Sequence, residues 1–297
     1  MPFYSIHYLF LPLMSRSFFN LLVCFILFGF SSYAQDDWED EEEEKKAHFF
    51  IGVNLGAYFA NDNTAIVYRG SPDVTPFGID YIFNLAAYQQ TFNDYFLYPY
   101  QISEYPVESV YRTSFEIGAH LGVQFNEDIS IYMDVNSTQL SYEQLFTVSI
   151  DDPFNQMIGP TFQQLPIFGK ETRFNLNLGT QLSLYDDESA NIYFSFFGNM
   201  NAVRLEKNYI VVNNTNYAIF HTNDIGGNIN QKPGGVGFGG GSGLGLKLKL
   251  NENLLADLNY NLYYTETNLT ESVQSYDFHH GIGLRIIWIR SKSEDDW

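Results

Sequence analysis

The stretch that decides the fold is residues 236–264, which read VGFGGGSGLGLKLKL, then the turn NEN at 251–253, then LLADLNYNLYY. Before the turn, even positions are apolar or small, and odd positions are glycines followed by Lys247 and Lys249. After the turn, even positions are apolar or aromatic and odd positions are mostly polar. A period of two is that of a β-strand. Two such runs around a short turn predict a β-hairpin.

The same alternation recurs along the chain and predicts eight strands. They cover residues 49–60, 113–125, 129 towards 150, 173–185, 191 to about 205 or on to 212, 236–250, 254–264 and 278–288. Short turns are expected at 126–128, 186–189 and 251–253, and long loops at 61–112, 151–171, 213–235 and 270–277. Strands of about ten residues cross a bilayer when tilted. The pattern therefore predicts an all-β fold, a transmembrane up-and-down antiparallel β-barrel of eight strands with long extracellular loops.

A soluble, lipocalin-like barrel is the main alternative, because it would bury its apolar face and expose its polar face. Here the face with the glycines and charges suits a narrow interior, and the wide apolar face with aromatic ends suits lipid. We therefore favour an apolar face that points outwards. Leu246, Leu258 and Ile282 packed together at the centre would contradict this interpretation.

The composition limits the function classes. The 297 residues carry a formal net charge of −20, so nucleic acid is not an expected partner. Residues 1–34 are predicted to be a signal peptide, with an apolar run at 18–30 and a small-x-small ending at Ser32-Tyr33-Ala34, and Met14 is an alternative start. Cys24, the single cysteine, lies in this segment. The predicted remainder is an acidic periplasmic tail at 35–47, the barrel at 48–290 and a polar tail at 291–297.

This pattern resembles the small outer-membrane β-barrels of the OmpA/OmpX type. The Tyr-Ala-Gln ending of the predicted signal peptide and the strands rich in Asn, Tyr and Phe resemble Bacteroidota members of that class. The resemblance covers residues 49–288 as architecture and implies a location in the bacterial outer membrane. It includes no family motif, so it assigns no functional residue.

Several charged residues fall on the inward face of the predicted strands. Counting from the turns places Lys247 opposite Asp257, with Arg285 at the same level on the next strand, so we expect one buried ionic cluster. The same counting places His120 opposite Asp134. A structural role for both sets is favoured, and a gated path through the first or acid–base chemistry at the second are the alternatives. No catalytic residue, cofactor or metal site is predicted.

The hypothesis for function is a non-enzymatic outer-membrane barrel with a structural, adhesive or envelope-assembly role through its surface loops. The expected partners are outer-membrane lipid and an envelope protein that binds through residues 61–112, a segment rich in Tyr, Phe and Pro. Residues 85–95 of that segment predict a short helix, unless an extra hairpin lies there. The alternatives are an enzyme that modifies lipid A or phospholipid, and a small pore.

Overall fold

In this computed structural model, the part of the chain that the structure describes forms ten β-strands, eight of which close into a ring. The ring consists of β1 (His48–Phe59), β3 (Ser114–Gln124), β4 (Ile129–Ile150), β5 (Thr161–Asp186), β6 (Ala190–Val212), β8 (Gly234–Asn251), β9 (Leu254–Thr270) and β10 (Val273–Ile289). Each strand pairs antiparallel with its neighbours, and β1 pairs with both β3 and β10. β2 (Tyr100–Glu104) and β7 (Thr215–Ala218) add to β4 and β6 outside the ring. The predicted eight-stranded barrel is confirmed.

The structure describes residues 48–126, 128–155, 159–221, 233–270 and 273–289. The predicted signal peptide, acidic tail and polar tail lie outside these residues and stay predictions. No helix in the described part of the chain is long and apolar enough to cross a membrane.

The faces of the ring follow the alternation. Leu258 and Ile282 are exposed on the outer surface, whereas Asp257 and Tyr263 are buried inside. The large exposed side chains of the ring are mostly apolar. Such an outer surface suits lipid, and the polar interior is the arrangement of a transmembrane barrel. The soluble alternative, with the apolar face inside, is therefore wrong.

Two of the expected long loops are wrong. β5 begins at Thr161, inside the loop expected at 151–171, and β9 and β10 are separated only by residues 271–272. Strands β4, β5 and β6 thus extend well past the end of β1 and form a wall at the long-loop end. The short-turn end of the ring carries the three short turns that the sequence predicts.

The extended wall reverses the apolar and polar faces of its strands. Between the wall and the short-turn end, the inward side chains of β5 include the buried Asn175 and Asn177. Further along the same face they are Leu165 and Ile167, also buried, while Lys170 lies on the outer face. In the wall the side chains still alternate with a period of two, but the apolar ones point inwards and the polar ones outwards. A search for an apolar face that points outwards therefore ends the strand too early.

Residues 61–112, which we call the cap, fold against the inner face of this wall. They contain a 3₁₀ helix (Asp62–Arg69), α1 (Ile79–Asn84), α2 (Ala86–Phe96) and β2. α2 confirms the predicted helix. Many apolar side chains of the cap are buried, among them Ala65, Val67, Tyr68, Ile79, Ile82, Phe83, Phe92, Phe96 and Tyr111. Phe83 packs edge-on against Phe146 of β4, so the cap and the wall share one core.

Candidate functional site

An ionic cluster occupies the interior near the short-turn end. Arg285 of β10 contacts Asp134 of β4 at 2.8 Å and Asp257 of β9 at 3.2 Å, and all three side chains are buried. Tyr193 of β6 donates its hydroxyl to Asp257 at 2.8 Å and accepts a hydrogen bond from Arg285 at 3.1 Å. One guanidinium therefore joins two carboxylates across the barrel, and four strands contribute to the cluster. We name these four residues the ionic cluster.

The third residue of the expected set lies beside the cluster. Lys247 is in register with Asp257, as the counting predicted. Its ammonium donates to Gln181 Oε1 at 2.6 Å and lies 4.8 Å from the centre of the Tyr193 ring. Within the described residues it has no ion pair with Asp257 at 4 Å or less. The cation of the cluster is Arg285.

His120 and Asp134 lie opposite each other on β3 and β4. Nδ1 of His120 is 2.6 Å from Asp134 Oδ1, and the imidazole stacks on Phe50 with centroids 5.1 Å apart. Asn54 donates to the same Asp134 oxygen at 3.1 Å. The sequence presented the His120 pair and the ionic cluster as separate sets, but Asp134 connects them. The His120 imidazole is 0% exposed, so a lipid outside the barrel does not reach it.

A second buried ion pair fastens the cap to the wall. Arg173 Nε donates to Glu171 Oε1 at 2.7 Å, and both side chains are inaccessible to solvent. From the cap, Tyr68 and Tyr111 donate their hydroxyls to Glu171 Oε2 at 2.9 and 2.8 Å. Arg173 Nη2 donates to Thr64 Oγ1 at 3.1 Å. These five residues, named the cap anchor, join strand β5 to two parts of the cap.

The sequence reasoning missed the cap anchor. Glu171 and Arg173 are two residues apart on one strand, so they share a face. The available signal was the inward alternation of Arg173 and Asn175, which continues backwards through Glu171. The partners from the cap had no such signal, because their placement depends on how the long loop folds.

The two adjacent histidines near the long-loop end point to opposite faces. His279 is buried and accepts a hydrogen bond at Nδ1 from the backbone N–H of Asn61 at 3.0 Å. His280 lies on the outer surface, where its Nδ1 is 2.6 Å from the hydroxyl of Tyr260. In the part of the chain that the structure describes, no group of three or more His, Cys, Asp or Glu is arranged to hold a metal ion.

The glycines of β8 make room for aromatic side chains inside the barrel. A Cβ at Gly245 would overlap the ring of Tyr193, and one at Gly241 would overlap the ring of Phe197. Both rings come from the neighbouring strand β6. The glycine-rich stretch is therefore a packing feature, and it leaves room for the Tyr193 ring beside the ionic cluster.

Large apolar side chains are exposed at the far end of the wall and cap. Leu97 is 73% exposed and Phe154, in the connection between β4 and β5, is 80% exposed. The rings of Tyr98 and Phe154 are 6.3 Å apart, so the cap and the wall meet at this surface. We name Leu97, Tyr98 and Phe154 the tip. Contiguous apolar side chains that are exposed to water often mark an interaction surface.

Comparison with known proteins finds similarity at the level of solved structures. No protein-family model matches the chain, and no curated protein matches it. Neisserial surface protein A is 10% identical with a TM-score of 0.40, and the match covers 82% of this chain and 98% of that one. The outer membrane protein OprG of Pseudomonas aeruginosa is 9% identical with a TM-score of 0.34, and the match covers 83% of this chain and 95% of that one. The Yersinia pestis protein Ail, solved with the heparin analogue sucrose octasulfate, is 11% identical with a TM-score of 0.32. The match covers 82% of this chain and 97% of that one. Because these scores are low, the barrel assignment rests on the strand register.

Proposed function

We propose that this chain is a sealed outer-membrane β-barrel that presents the tip to a partner protein of the cell envelope. The observation that carries the proposal is the filled interior. The ionic cluster crosses the barrel near the short-turn end, and the cap anchor ties the cap across its long-loop end. A closed antiparallel barrel with an apolar outer face belongs to the bacterial outer membrane.

The filled interior argues against a pore. A conduction path requires water along the axis, whereas here Arg285, Asp134 and Asp257 bond to one another across it. Single-channel recording in planar bilayers should therefore show no conductance steps. Regular steps that change size in Arg285→Met would overturn the sealed barrel.

The burial of the His120 pair also argues against a lipid-modifying enzyme. Its imidazole stacks on Phe50 and bonds to a carboxylate that Arg285 already holds. Mass spectrometry of membrane lipids should show the same lipids with and without the gene.

The partner-binding role rests on the exposed tip and on its rigid support. A photo-crosslinking amino acid at Leu97 or Phe154 should give a discrete crosslinked product in living cells, and Phe154→Asp should abolish the product formed from position 97. The matched control is the same probe at Tyr185, which is 57% exposed at the short-turn end. Equal products from position 185, or none from the tip, would contradict the proposal.

The orientation belongs to the same proposal, with the long-loop end outside the cell and the predicted periplasmic tails at the short-turn end. Val107→Cys should react with a membrane-impermeant maleimide on intact cells, and Lys249→Cys only after permeabilisation. The Bacteroidota origin is also proposed, supported by the strands rich in Asn, Tyr and Phe and by the Tyr-Ala-Gln ending.

A further inference from the structure

Two lysines face each other on the outer surface of the wall. Lys170 of β5 and Lys207 of β6 are register partners. Gly169 and Glu171 point into the barrel, so Lys170 points out, and Lys207 is exposed beside the buried Asn208. Like charges directly opposite each other in an antiparallel pair are destabilising. This arrangement therefore needs an explanation.

A β-bulge creates the lysine pair. On either side of the bulge, Glu171 pairs with Leu205 and Lys170 pairs with Lys207, which leaves Glu206 as the extra residue. Regular pairing would have placed Glu206 opposite Lys170, as a favourable pair of opposite charges. The bulge instead brings a second cation opposite the first. Bulges often redirect a side chain towards a functional site.

The lysine pair lies just above the apolar band of the barrel. On β5 the outward apolar side chains extend from Leu184 to Phe174. Ten residue steps along a tilted strand span about 25 Å, which is the height of the apolar band in such barrels. Lys170 is four residues beyond Phe174, and Phe168 and Tyr209 stack next to the pair with centroids 5.3 Å apart. The ammonium groups therefore reach the lipid headgroup layer.

In the part of the chain that the structure describes, no carboxylate pairs with either ammonium group. Among the described residues, neither lysine has a carboxylate within 4 Å. The nearby arginines already have partners, since Arg204 contacts Glu206 at 3.1 Å and Arg112 contacts Glu143 at 2.5 Å. In a chain with 15 Lys and Arg against 35 Asp and Glu, two cations that face each other without a paired carboxylate among the described residues run against the overall charge.

We propose that Lys170 and Lys207 bind the phosphate group of a membrane lipid in the leaflet at the long-loop end. A phosphate between the two strands would accept hydrogen bonds from both ammonium groups and remove their repulsion. Because the two lysines lie at the level of the lipid headgroups, we expect them to bind a phosphate that is part of a lipid more tightly than a phosphate that is free in solution. The site does not depend on the proposed partner at the tip.

Native mass spectrometry of the purified full-length barrel in detergent tests the site. The probe is dioleoyl phosphatidic acid, and dioleoylglycerol is the matched lipid without phosphate. The wild type should retain the phosphatidic acid at least about tenfold more tightly than Lys170→Gln/Lys207→Gln does. Lys249→Gln, which removes one charge at the short-turn end, should retain it as the wild type does. Equal retention by the double variant, or equal loss in Lys249→Gln, would overturn the proposal.

Lys170→Glu separates binding from folding. This substitution places a carboxylate opposite Lys207, so the variant should melt at a higher temperature than the wild type in lipid-free detergent while losing phosphatidic acid. A lower melting temperature would show that the two lysines do not repel each other, and would count against the site. Inorganic phosphate should compete only at far higher concentration than phosphatidic acid. Equal competition would overturn the lipid assignment.

Discussion

Strands β4, β5 and β6 differ between their lower part, near the short-turn end, and their upper part, which is the wall at the long-loop end. The two parts bury opposite kinds of side chain. Near the short-turn end, β5 turns Leu178 out and buries Asn177, whereas further along it buries Ile167 and turns Lys170 out. In the lower part hydrocarbon surrounds the barrel, so apolar burial gives little gain and the interior is held by hydrogen bonds and ion pairs. Above the apolar band, polar headgroups and then water surround the wall, so the hydrophobic effect holds the cap against it. The surrounding solvent thus decides which face of a strand is the core.

The largest expected effect comes from the lower interior. Arg285→Met leaves the carboxylates of Asp134 and Asp257 buried without their shared cation, which should cost about 3–5 kcal/mol of unfolding free energy. Urea unfolding of the reconstituted barrel measures this cost. Asp257→Ala should cost less, because Arg285 keeps Asp134. A larger loss in Asp257→Ala than in Arg285→Met would show that Arg285 is not the centre of the ionic cluster.

A matched pair of substitutions on β5 tests the change of solvent directly. Leu178 and Phe162 lie on the same outer face and are both 62% exposed. Leu178→Arg should cost about 2–4 kcal/mol because it places a charge in the middle of the apolar band. Phe162→Arg should change the unfolding free energy by less than about 0.5 kcal/mol, since its surroundings are water. Equal costs would mean that the upper wall also lies in lipid.

The sequence predicted the lower part well because one rule holds there throughout. Alternation gave the strands, the short turns gave the register, and the register placed Lys247 opposite Asp257 and His120 opposite Asp134. In the upper part the period persists but the apolar face turns inwards, so the start of β5 was mistaken for a loop. A search for alternation of either sense would have found it.

The contacts between elements were harder to predict. The link from Asp134 to Arg285 crosses the barrel between strands that are not neighbours, and strand pairing alone does not show it. The cap anchor depends on Tyr68 and Tyr111, which reach Glu171 only because the cap folds back into the ring. Such contacts follow from three-dimensional packing and have no period in the sequence.

A smaller effect is expected where the lower interior is most tightly packed. Gly245→Ala should push the Tyr193 ring away from Asp257 and Arg285 and cost about 1–3 kcal/mol. Gly198→Ala is the matched control, because the nearest atom to its new Cβ is 4.0 Å away, on the outer side of β6. Urea unfolding of both variants measures the difference. If Gly245→Ala is as mild as the control, the glycine-rich face does not set the position of Tyr193.

The smallest effect concerns the cap and appears only at alkaline pH. Burial raises the pKa of Tyr68 and of Tyr111 well above the usual value, and the Glu171 charge raises both further. Above about pH 10 the tyrosines of an unfolded cap lose their protons while those of the folded cap keep them. The folded cap then binds more protons, so its stability is complete below pH 10 and falls as the pH rises.

Hydrogen exchange between pH 8 and pH 11 measures this loss. After correction for intrinsic exchange rates, protection of α1 and α2 should fall at the alkaline end, while that of β9 stays unchanged. Tyr68→Phe/Tyr111→Phe should be less protected at pH 8, since Glu171 loses two hydrogen bonds, and its protection should depend less on pH. If the double variant keeps the alkaline loss, other groups fasten the cap. The upper part would then rest on apolar packing alone, and an ion pair would be essential only where lipid surrounds the barrel.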